Sequence, residues 1–321
     1  MASPPVTVNE LPILGAPARA VAVVNPATRR NPSRIIELLR LLAPASTSLE
    51  ICLTERTGHA SELAREHADG AEMLIAVGGD GTVGELAGVA FERGIDLGII
   101  PAGSTNIIAR ELGIPTNPHE AVRLLFEPHN RVRVDAGTCG DRVFLHMAGA
   151  GLDSLMFDLT DPRLKQKMGW MAYVPAAARA LRRPLARYQV RAEGVSLEDV
   201  ASPLVLVANG ASIIAPSIVL DRSILFDDGQ LDVLVVTATR PHELARVMAR
   251  MATRQMRASP FVTHFSTTAV EIASDPPMAF QVDGDVDGTT PKAIGLRPAA
   301  VRIVTPLRAG HAPDTASPPS G

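Results

Sequence analysis

The sequence predicts an α/β domain built on a parallel sheet, followed by a mainly β domain. Three observations support this fold class. From Arg19 to about Asp135, short β-branched apolar runs alternate with segments of helical periodicity, which is typical of βαβ units. Beyond Asp135, short strand-like runs separated by turn residues dominate. The chain has 321 residues, 46% of them hydrophobic, and this length is enough for about two domains with well-filled cores.

Each element is predicted from its own local pattern. Short apolar runs predict strands in the first domain at 20–24, 49–53, 73–77, 97–100 and 132–134. Apolar residues that recur on one face predict helices at 33–42 and 59–68. In the second domain, strands are predicted at 143–148, 204–208, 231–237, 270–273 and 300–304, with two helical stretches inserted between them. A disordered tail is predicted over 309–321, which is rich in Pro, Ser and Gly.

Composition excludes several classes of protein. A net charge of −3 argues against dedicated nucleic-acid binding, and aromatic residues, at 3% of the chain, are too few for stacking platforms. Cys52 and Cys139 match no metal or redox spacing, so neither a disulfide nor a structural zinc site is predicted. The N-terminal residues lack a basic start and a continuous apolar stretch, so no secretory signal is predicted and a cytoplasmic location is expected.

A glycine-rich loop is the most informative segment. An apolar strand runs directly into Gly78, Gly79, Asp80, Gly81 and Thr82, and a helix follows. Glycines at such a turn let a phosphate approach backbone N–H groups closely. A carboxylate beside phosphates is repulsive unless a metal ion bridges them or the carboxylate accepts a proton, so Asp80 favours a Mg²⁺-nucleotide site. An ordinary tight turn is the alternative interpretation of the same residues.

The helix after this loop has a predicted start. Thr82 and Glu85 stand at the spacing of a capping box, which predicts that Thr82 caps the helix and that its positive end points at the loop.

A second loop of the same kind follows the next strand, with Pro101, Gly103, Ser104, Thr105 and Asn106 ahead of a helix. The carboxyl ends of neighbouring parallel strands meet at one edge of the sheet, where ligands bind in open α/β folds. The chain has no G-x-x-x-x-G-K-[ST] motif, which argues against a P-loop enzyme.

These motifs belong to a longer series. The chain resembles the diacylglycerol kinase catalytic-domain family, the bacterial lipid kinases related to diacylglycerol, sphingosine and ceramide kinases, and more distantly the NAD kinases. The residues that carry the resemblance extend over nearly the whole chain: Asn25-Pro26, Thr57 to Ala60, GGDGT at Gly78 to Thr82, the P-x-G-[ST]-x-N loop at Pro101 to Asn106, Val134-Asp135, AGAGLD ending at Asp153, Gly169 to Tyr173, DDGQLDV at Asp227 to Val233, and QVDGD at Gln281 to Asp285.

The resemblance implies a Rossmann-like nucleotide domain over 18–135, a β-sandwich lipid-substrate domain over 136–308, and an active site in the cleft between them. It also implies that one set of residues holds ATP: Asn25, Thr57, Gly78, Gly79, Asp80, Gly81, Thr82, Gly103, Ser104, Thr105 and Asn106. Asp80 would be both a Mg²⁺ ligand and a catalytic carboxylate.

This chain departs from the family pattern at two positions. Asp285 stands where relatives usually have a Glu that is a proposed general base, so the base could be Asp285 or Asp80. Ile107 stands where many relatives have Asp, which leaves Asp80 and Asp135 for the metal network. Asp228 resembles the family's separate structural Mg²⁺ site.

Two basic stretches predict contact with an anionic membrane surface. Four arginines at spacings of four, four and three are predicted on one helix face: Arg246, Arg250, Arg254 and Arg257. A longer stretch without acids, from Arg163 to Arg187, contains Trp170 and Tyr173 among its Lys and Arg residues. A solvated helix face is the alternative.

Taken together, the sequence and the resemblance predict an ATP- and Mg²⁺-dependent lipid kinase that acts on diacylglycerol or a ceramide or sphingoid base. The expected location is the inner face of the membrane, without nucleic-acid partners, and a homodimer is compatible with this prediction. Two alternatives stay open, namely a kinase of a soluble hydroxyl compound such as an NAD-like nucleotide, and a nucleotide-binding regulatory protein with little turnover.

Overall fold

The computed structural model of the protein describes residues 15–151, 185–213 and 215–307. The helices in these ranges are α1 (Pro32–Leu42), α2 (His59–His67), α3 (Asp80–Arg93), α4 (Ile107–Glu111), α5 (Pro118–Phe126) and α6 (Pro241–Ala252). The strands are β1 (Arg19–Val24), β2 (Ser48–Leu53), β3 (Met73–Gly78), β4 (Asp96–Pro101), β5 (Asn130–Cys139), β6 (Arg142–Phe144), β7 (Met147–Gly151), β8 (Ala186–Ala192), β9 (Val195–Ser202), β10 (Leu204–Ala208), β11 (Ser212–Ile213), β12 (Ala215–Val219), β13 (Leu231–Val236), β14 (Val262–Thr267), β15 (Ala269–Asp275), β16 (Ala279–Val282), β17 (Asp285–Thr289) and β18 (Lys292–Thr305).

The first domain is an α/β unit. Strands β2, β1, β3 and β4 pair in that order and are all parallel. Strands β1 and β3 are buried along nearly their whole length, as expected for a sheet covered on both faces. Helices α1 and α5 cover one face, and α2 and α3 cover the other.

The sheet does not end with the first domain. The last strand, β18, pairs in parallel with β4 and antiparallel with both β5 and β15, which extends the sheet to ten strands. Strand β5 runs across the predicted boundary between residues 135 and 136. The two domains therefore share a continuous sheet, because the C-terminal strand returns to the first domain and pairs with β4.

The second domain is a β-sandwich, which confirms the predicted fold class. Its second sheet has six strands in the order β14-β13-β10-β7-β16-β17, all antiparallel. Side chains from this sheet, including Phe280, pack against side chains from the ten-stranded sheet, including Tyr188 and Ile272. Helix α6 packs on the outer face of the six-stranded sheet through Val247 and Met251.

Most predicted elements are found within a few residues of their expected bounds. One difference is the run at 143–148, which is split into β6 and β7 by a bend at Leu145 and His146. Asp153 of the AGAGLD motif, most of the basic stretch from Arg163 to Arg187 and the predicted tail at 309–321 lie outside the described residues.

Candidate active site

Two glycine loops lie side by side at the carboxyl edge of the parallel sheet, as predicted. Strands β3 and β4 end in register, with Gly78 opposite Pro101. The loops that follow touch through their backbones, because a Cβ atom placed on Gly103 would lie only 2.5 Å from the Cα of Gly79. Glycine is therefore required here by the close approach of two backbones.

Asp80 links these two loops. It is the first residue of α3, and its carboxylate accepts hydrogen bonds from Thr105 Oγ1 at 3.0 Å and from the backbone N–H of Ile108 at 3.3 Å. Burial raises the pKa of this carboxyl above its usual range, although these hydrogen bonds act in the opposite direction. The side chain is thus held in one orientation at the helix start.

Three of the predicted nucleotide-binding residues support the loops without lining the cleft. Thr82 is buried inside α3, where its side chain would lie within 3.0 Å of a Cβ on Gly78. Asn106 is buried with a φ of 49°, and its side-chain amide exchanges hydrogen bonds with the backbone N–H and C=O of Gly103. Gly78, Thr82 and Asn106 therefore set the shape of the surface that a phosphate would contact.

The predicted capping box at Thr82 and Glu85 is wrong. Helix α3 begins at Asp80 with Gly79 as its cap, three residues earlier than a cap at Thr82 would place it. The Glu85 carboxylate instead accepts hydrogen bonds at the start of α2, from the backbone N–H groups of Gly58, Ala60 and Ser61 at 3.0, 2.9 and 3.3 Å. The spacing was compatible with a local cap, but tertiary packing offers Glu85 three N–H groups from another helix.

The opposite wall of the cleft is the tight turn between β16 and β17. Asp283 and Gly284 form this turn with positive φ angles of 49° and 91°, the conformation that Asp-Gly pairs favour in two-residue hairpins. The Asp283 carboxylate accepts hydrogen bonds from the backbone N–H groups of Leu145, His146 and Met147 at 2.9 to 3.0 Å. Burial, with a smaller contribution from the charge of Asp80, raises the pKa of Asp283 to about 6.

Asp285, the predicted catalytic residue that follows this turn, is the more accessible carboxylate. Its side chain is 50% exposed and lies 3.5 Å from Arg142 Nη2. Arg142 also pairs with Asp287, which Lys292 holds at 2.6 Å. Arg142 therefore orients Asp285 at the cleft while Asp287 anchors the arginine.

These residues surround two adjoining cavities of about 490 and 500 Å³. Gly81, Asp283 and Asp285 line both cavities, so the cavities meet at the two carboxylates. The first cavity is also lined by Asn25, Gly79, Asp80, Gly103, Ser104 and Thr105, and the second by Thr57. The cleft thus brings together most of the residues predicted to hold the nucleotide.

The other two predicted metal ligands lie elsewhere. Both carboxylate oxygens of Asp135 accept backbone N–H groups, from Gly229 at 2.7 Å and Ala299 at 2.6 Å, and Asp135 lines neither cavity. The structure therefore places Asp135 beside the loop of Asp228 and does not bring it to the cleft with Asp80. Partial burial and the carboxylates of Asp232, Asp135 and Asp227 raise the pKa of Asp228 to about 6.

Sequence reasoning missed three residues of the first cavity. Asp283 lay inside the QVDGD motif without an assigned role, and only the fold shows that it faces Asp80. His146 is the second, and its buried Nε2 has no hydrogen-bond partner among the described residues, while burial lowers its pKa to about 4. Arg29 adds an exposed cation to the same wall, and it follows Asn25-Pro26 closely enough that the sequence could have indicated it.

The predicted stripe of four arginines is also wrong. Helix α6 ends at Ala252, and Arg254, with a φ of 59°, lies beyond it. Arg257 turns inward, where its Nε donates to His264 Nδ1 at 3.0 Å and its Nη1 lies 3.9 Å from buried Asp232. Only Arg246 and Arg250 share an exposed helix face.

Helices that are long and apolar enough to cross a membrane are absent from the described ranges 15–151, 185–213 and 215–307.

Comparisons with known proteins agree with this architecture. Residues 19–139 match the family model of the diacylglycerol kinase catalytic domain, and residues 146–305 match that of the YegS C-terminal NAD kinase beta sandwich-like domain. An uncharacterized protein of Synechocystis is 29% identical over 315 residues, covering 92% of this chain and 72% of that protein.

A diacylglycerol kinase of Staphylococcus carnosus is 27% identical over 293 residues, covering 90% of this chain and 95% of that enzyme. A crystal structure of a diacylglycerol kinase from Bacillus anthracis has the same fold, with a TM-score of 0.73 and 24% identity over 90% of this chain and 97% of that one.

Proposed function

We propose that this chain, which belongs to the diacylglycerol kinase catalytic-domain family, is an ATP- and Mg²⁺-dependent kinase that phosphorylates a hydroxyl group of a membrane lipid. One observation carries the proposal. Two glycine loops lie across a single cleft from the carboxylates of Asp283 and Asp285, and the backbone of these loops is open to a phosphate. Phosphoryl transfer needs this combination of an anion site and a proton acceptor more than it needs covalent chemistry.

The first wall would bind the phosphates of ATP. Gly79, Gly81 and Gly103 leave room for close approach to the backbone, and Arg29 adds positive charge. Because Thr57 lines the adjoining cavity, we expect the nucleotide to extend from the first cavity toward the second.

Asp285 is the better candidate for the general base. It is half exposed, and its one described ionic partner is Arg142 at 3.5 Å, so lone pairs are available to an incoming hydroxyl. The lipid O–H would transfer its proton to the Asp285 carboxylate as the hydroxyl oxygen bonds to the γ-phosphorus and the bond to the ADP oxygen breaks. The Asp80 carboxylate already accepts hydrogen bonds from Thr105 and Ile108. It is therefore better suited to holding a cation beside the phosphates than to accepting a proton.

The donor set of the cleft fits a Mg²⁺ ion. Asp80, Asp283 and Asp285 supply only oxygen donors, which this hard cation prefers, and Mg²⁺ is commonly held by one or two carboxylates plus phosphate oxygens. Asp80 would hold the ion, which would neutralise charge on the transferred phosphoryl group.

A second Mg²⁺ would bind at Asp228. Partial burial and, after it, three neighbouring carboxylates raise the pKa of this residue, and a cation there would relieve the repulsion between the carboxylates. This ion would stabilise the loop beside Asp135 without taking part in the transfer.

Access to a lipid would use the exposed arginines of α6. Reversing both, Arg246→Glu with Arg250→Glu, is expected to weaken the affinity for anionic vesicles, measured by sedimentation, by at least about tenfold, since each surface cation contributes about 1 kcal/mol of attraction. The matched control is Arg34→Glu with Arg40→Glu on α1, which makes the same charge change in the other domain. Equal loss in both double variants would contradict a specific membrane face.

The function is tested with labelled ATP, Mg²⁺ and a mixed lipid extract, followed by identification of the labelled product. Phosphorylated diacylglycerol, ceramide or sphingoid base is the expected result. Labelled NAD-like nucleotide from a parallel soluble panel would favour the soluble-acceptor alternative. Thermal stabilisation by ATP without transfer to any acceptor would favour a regulatory protein.

A further inference from the structure

A cluster of three metal-binding side chains lies in the first domain, separate from the cleft. The ligand atoms of Glu50, Cys52 and His67 all lie within 4.8 Å of one another, and none of these residues lines either cavity. Within the described ranges, no other group of His, Cys, Asp and Glu meets this criterion.

The fold assembles this cluster from two elements. Glu50 and Cys52 are two residues apart on β2, so their side chains point to the same face of the sheet. Helix α2 covers that face, with Ala60 and Ala64 in the same core as Cys52, and His67 is its last residue. The return of α2 along β2 therefore brings His67 back to the strand.

The hydrogen bonds around the cluster orient its ligand atoms. Arg19 Nη2 donates to Glu50 Oε2 at 3.0 Å and to the backbone C=O of His67 at 3.2 Å. Glu50 Oε1 is left facing His67 Nδ1 at 2.6 Å, while His67 Nε2 lies 4.0 Å from Glu66 Oε2. The outer oxygen of Glu50 is thus held by a hydrogen bond from Arg19, and such a contact is how proteins orient metal ligands.

We propose that Glu50, Cys52 and His67 form a Zn²⁺ site. Thiolate, imidazole and carboxylate are the three side-chain ligands of zinc, whereas Mg²⁺ and Ca²⁺ prefer oxygen alone. Ligand atoms that share a tetrahedral zinc lie roughly 3–4 Å apart. Glu50 and His67 need to separate slightly to admit the ion. Water completes the four-coordinate shell.

The ion ties the edge strand β2 to the end of α2. The start of α2 is bound by Glu85 of α3, the helix that begins at Asp80. Metal binding therefore stabilises the framework behind the glycine loop without contacting the nucleotide.

The test uses Co²⁺ as a spectroscopic probe of the purified, chelator-treated full chain. The wild type is expected to bind one equivalent, with a near-ultraviolet thiolate-to-Co²⁺ charge-transfer band and visible bands typical of tetrahedral Co²⁺. Cys139→Ser, which removes the other free cysteine, is the matched control and keeps both features. Cys52→Ser loses the charge-transfer band, and His67→Gln, at a partly exposed position, lowers the affinity at least tenfold.

A thermal shift with Zn²⁺ supplies the second measurement. Zn²⁺ raises the Tm of the wild type and of Cys139→Ser but leaves that of Cys52→Ser unchanged, and circular dichroism of the metal-free variant checks its folding. The proposal is overturned if the wild type shows no charge-transfer band, if Cys52→Ser keeps the wild-type band, or if Cys139→Ser loses it. Wild-type affinity in His67→Gln would also overturn the three-ligand site.

Discussion

The two walls of the cleft are built in opposite ways. The wall from the α/β domain consists of backbone, with glycines where β3 and β4 end, and one carboxylate, Asp80, held by Thr105 and Ile108. The wall from the β-sandwich is a hairpin turn that carries two carboxylates, Asp283 and Asp285. An anion suits the first wall, and a proton donor or a cation suits the second.

The difference shows how one cleft can hold a phosphate beside carboxylates. The carboxylate of Asp283 has its negative charge offset by three backbone N–H groups, whereas that of Asp285 faces Arg142 and remains half exposed. One carboxylate is thus built into the framework and the other is available for chemistry. Substitutions that separate these roles test the comparison.

The largest effect is expected for Asp80→Asn. This change removes the one carboxylate of the first wall, so we expect phosphoryl transfer to fall roughly 10²- to 10⁴-fold. Because burial raises the pKa of Asp80, the ionised side chain costs stability near neutral pH, and the neutral variant is expected to unfold at an equal or higher Tm. Rates with labelled ATP and thermal unfolding check both statements. Retained activity would contradict the role of Asp80.

Asp285→Asn is expected to lower the transfer rate about 10²-fold, since the amide cannot accept the proton of a hydroxyl. Stability is expected to change by less than about 1 kcal/mol, because an exposed ion pair is lost. The control is Asp287→Asn, which removes the other carboxylate that contacts Arg142. If Asp287→Asn lowers the rate as much, the effect comes from Arg142 and not from proton acceptance.

Gly103→Ala tests the close approach of the two loops. The added methyl group would lie 2.5 Å from Gly79 Cα, so a backbone shift costing about 1–3 kcal/mol is expected, with weaker binding of ATP. Gly88→Ala on α3 is the control, because its Cβ would meet only Val143 at an ordinary 3.8 Å and alanine favours the helix. Denaturant unfolding and ATP titration measure the difference between the two variants.

The raised pKa of Asp283 predicts that the stability of the wild type depends on pH differently from that of Asp283→Asn. Its pKa in the folded protein, about 6, is above the usual value of 3.8 for an aspartate, so the folded state binds this proton more tightly than the unfolded state. Its contribution to stability is present below about pH 4 and is lost as pH rises through about 6, with a slope of at most about 1.4 kcal/mol per pH unit. The free energy of unfolding of the wild type is expected to show this decline relative to Asp283→Asn. Asp285→Asn keeps the full wild-type decline. Asp228, whose pKa is also about 6, contributes the same decline to every variant, so equal declines in the wild type and in Asp283→Asn would contradict the assignment.

The smallest effect is expected for Glu85→Gln. The glutamine amide has one oxygen in place of two, so it cannot accept hydrogen bonds from all three N–H groups at the start of α2. The free energy of unfolding is expected to fall by about 0.5–2 kcal/mol. Glu92→Gln, on the same helix, removes an exposed pair with Arg65 and should cost less than about 1 kcal/mol. If denaturant unfolding shows that both variants lose the same free energy of unfolding, the hydrogen bonds from Glu85 to the start of α2 do not stabilise the fold.

Local sequence was sufficient for the fold class and for the first wall. Alternating strands and helices, and glycines directly after two buried strands, are properties of neighbouring residues, so the glycine loops and Asp80 could be placed before the structure was known. The same local reasoning failed for Glu85, whose partners come from α2, and for Arg257, which turns to His264 once α6 has ended.

Tertiary structure decided what meets across long distances in the chain. Asp283 approaches Asp80 because β18 returns to the first sheet and places the preceding hairpin over α3, where a Cβ on Gly84 would lie 3.4 Å from Asp283. Glu50, Cys52 and His67 meet because α2 folds back on β2. Such contacts depend on the burial of whole faces and on the pairing of distant strands, which spacing along the chain does not encode.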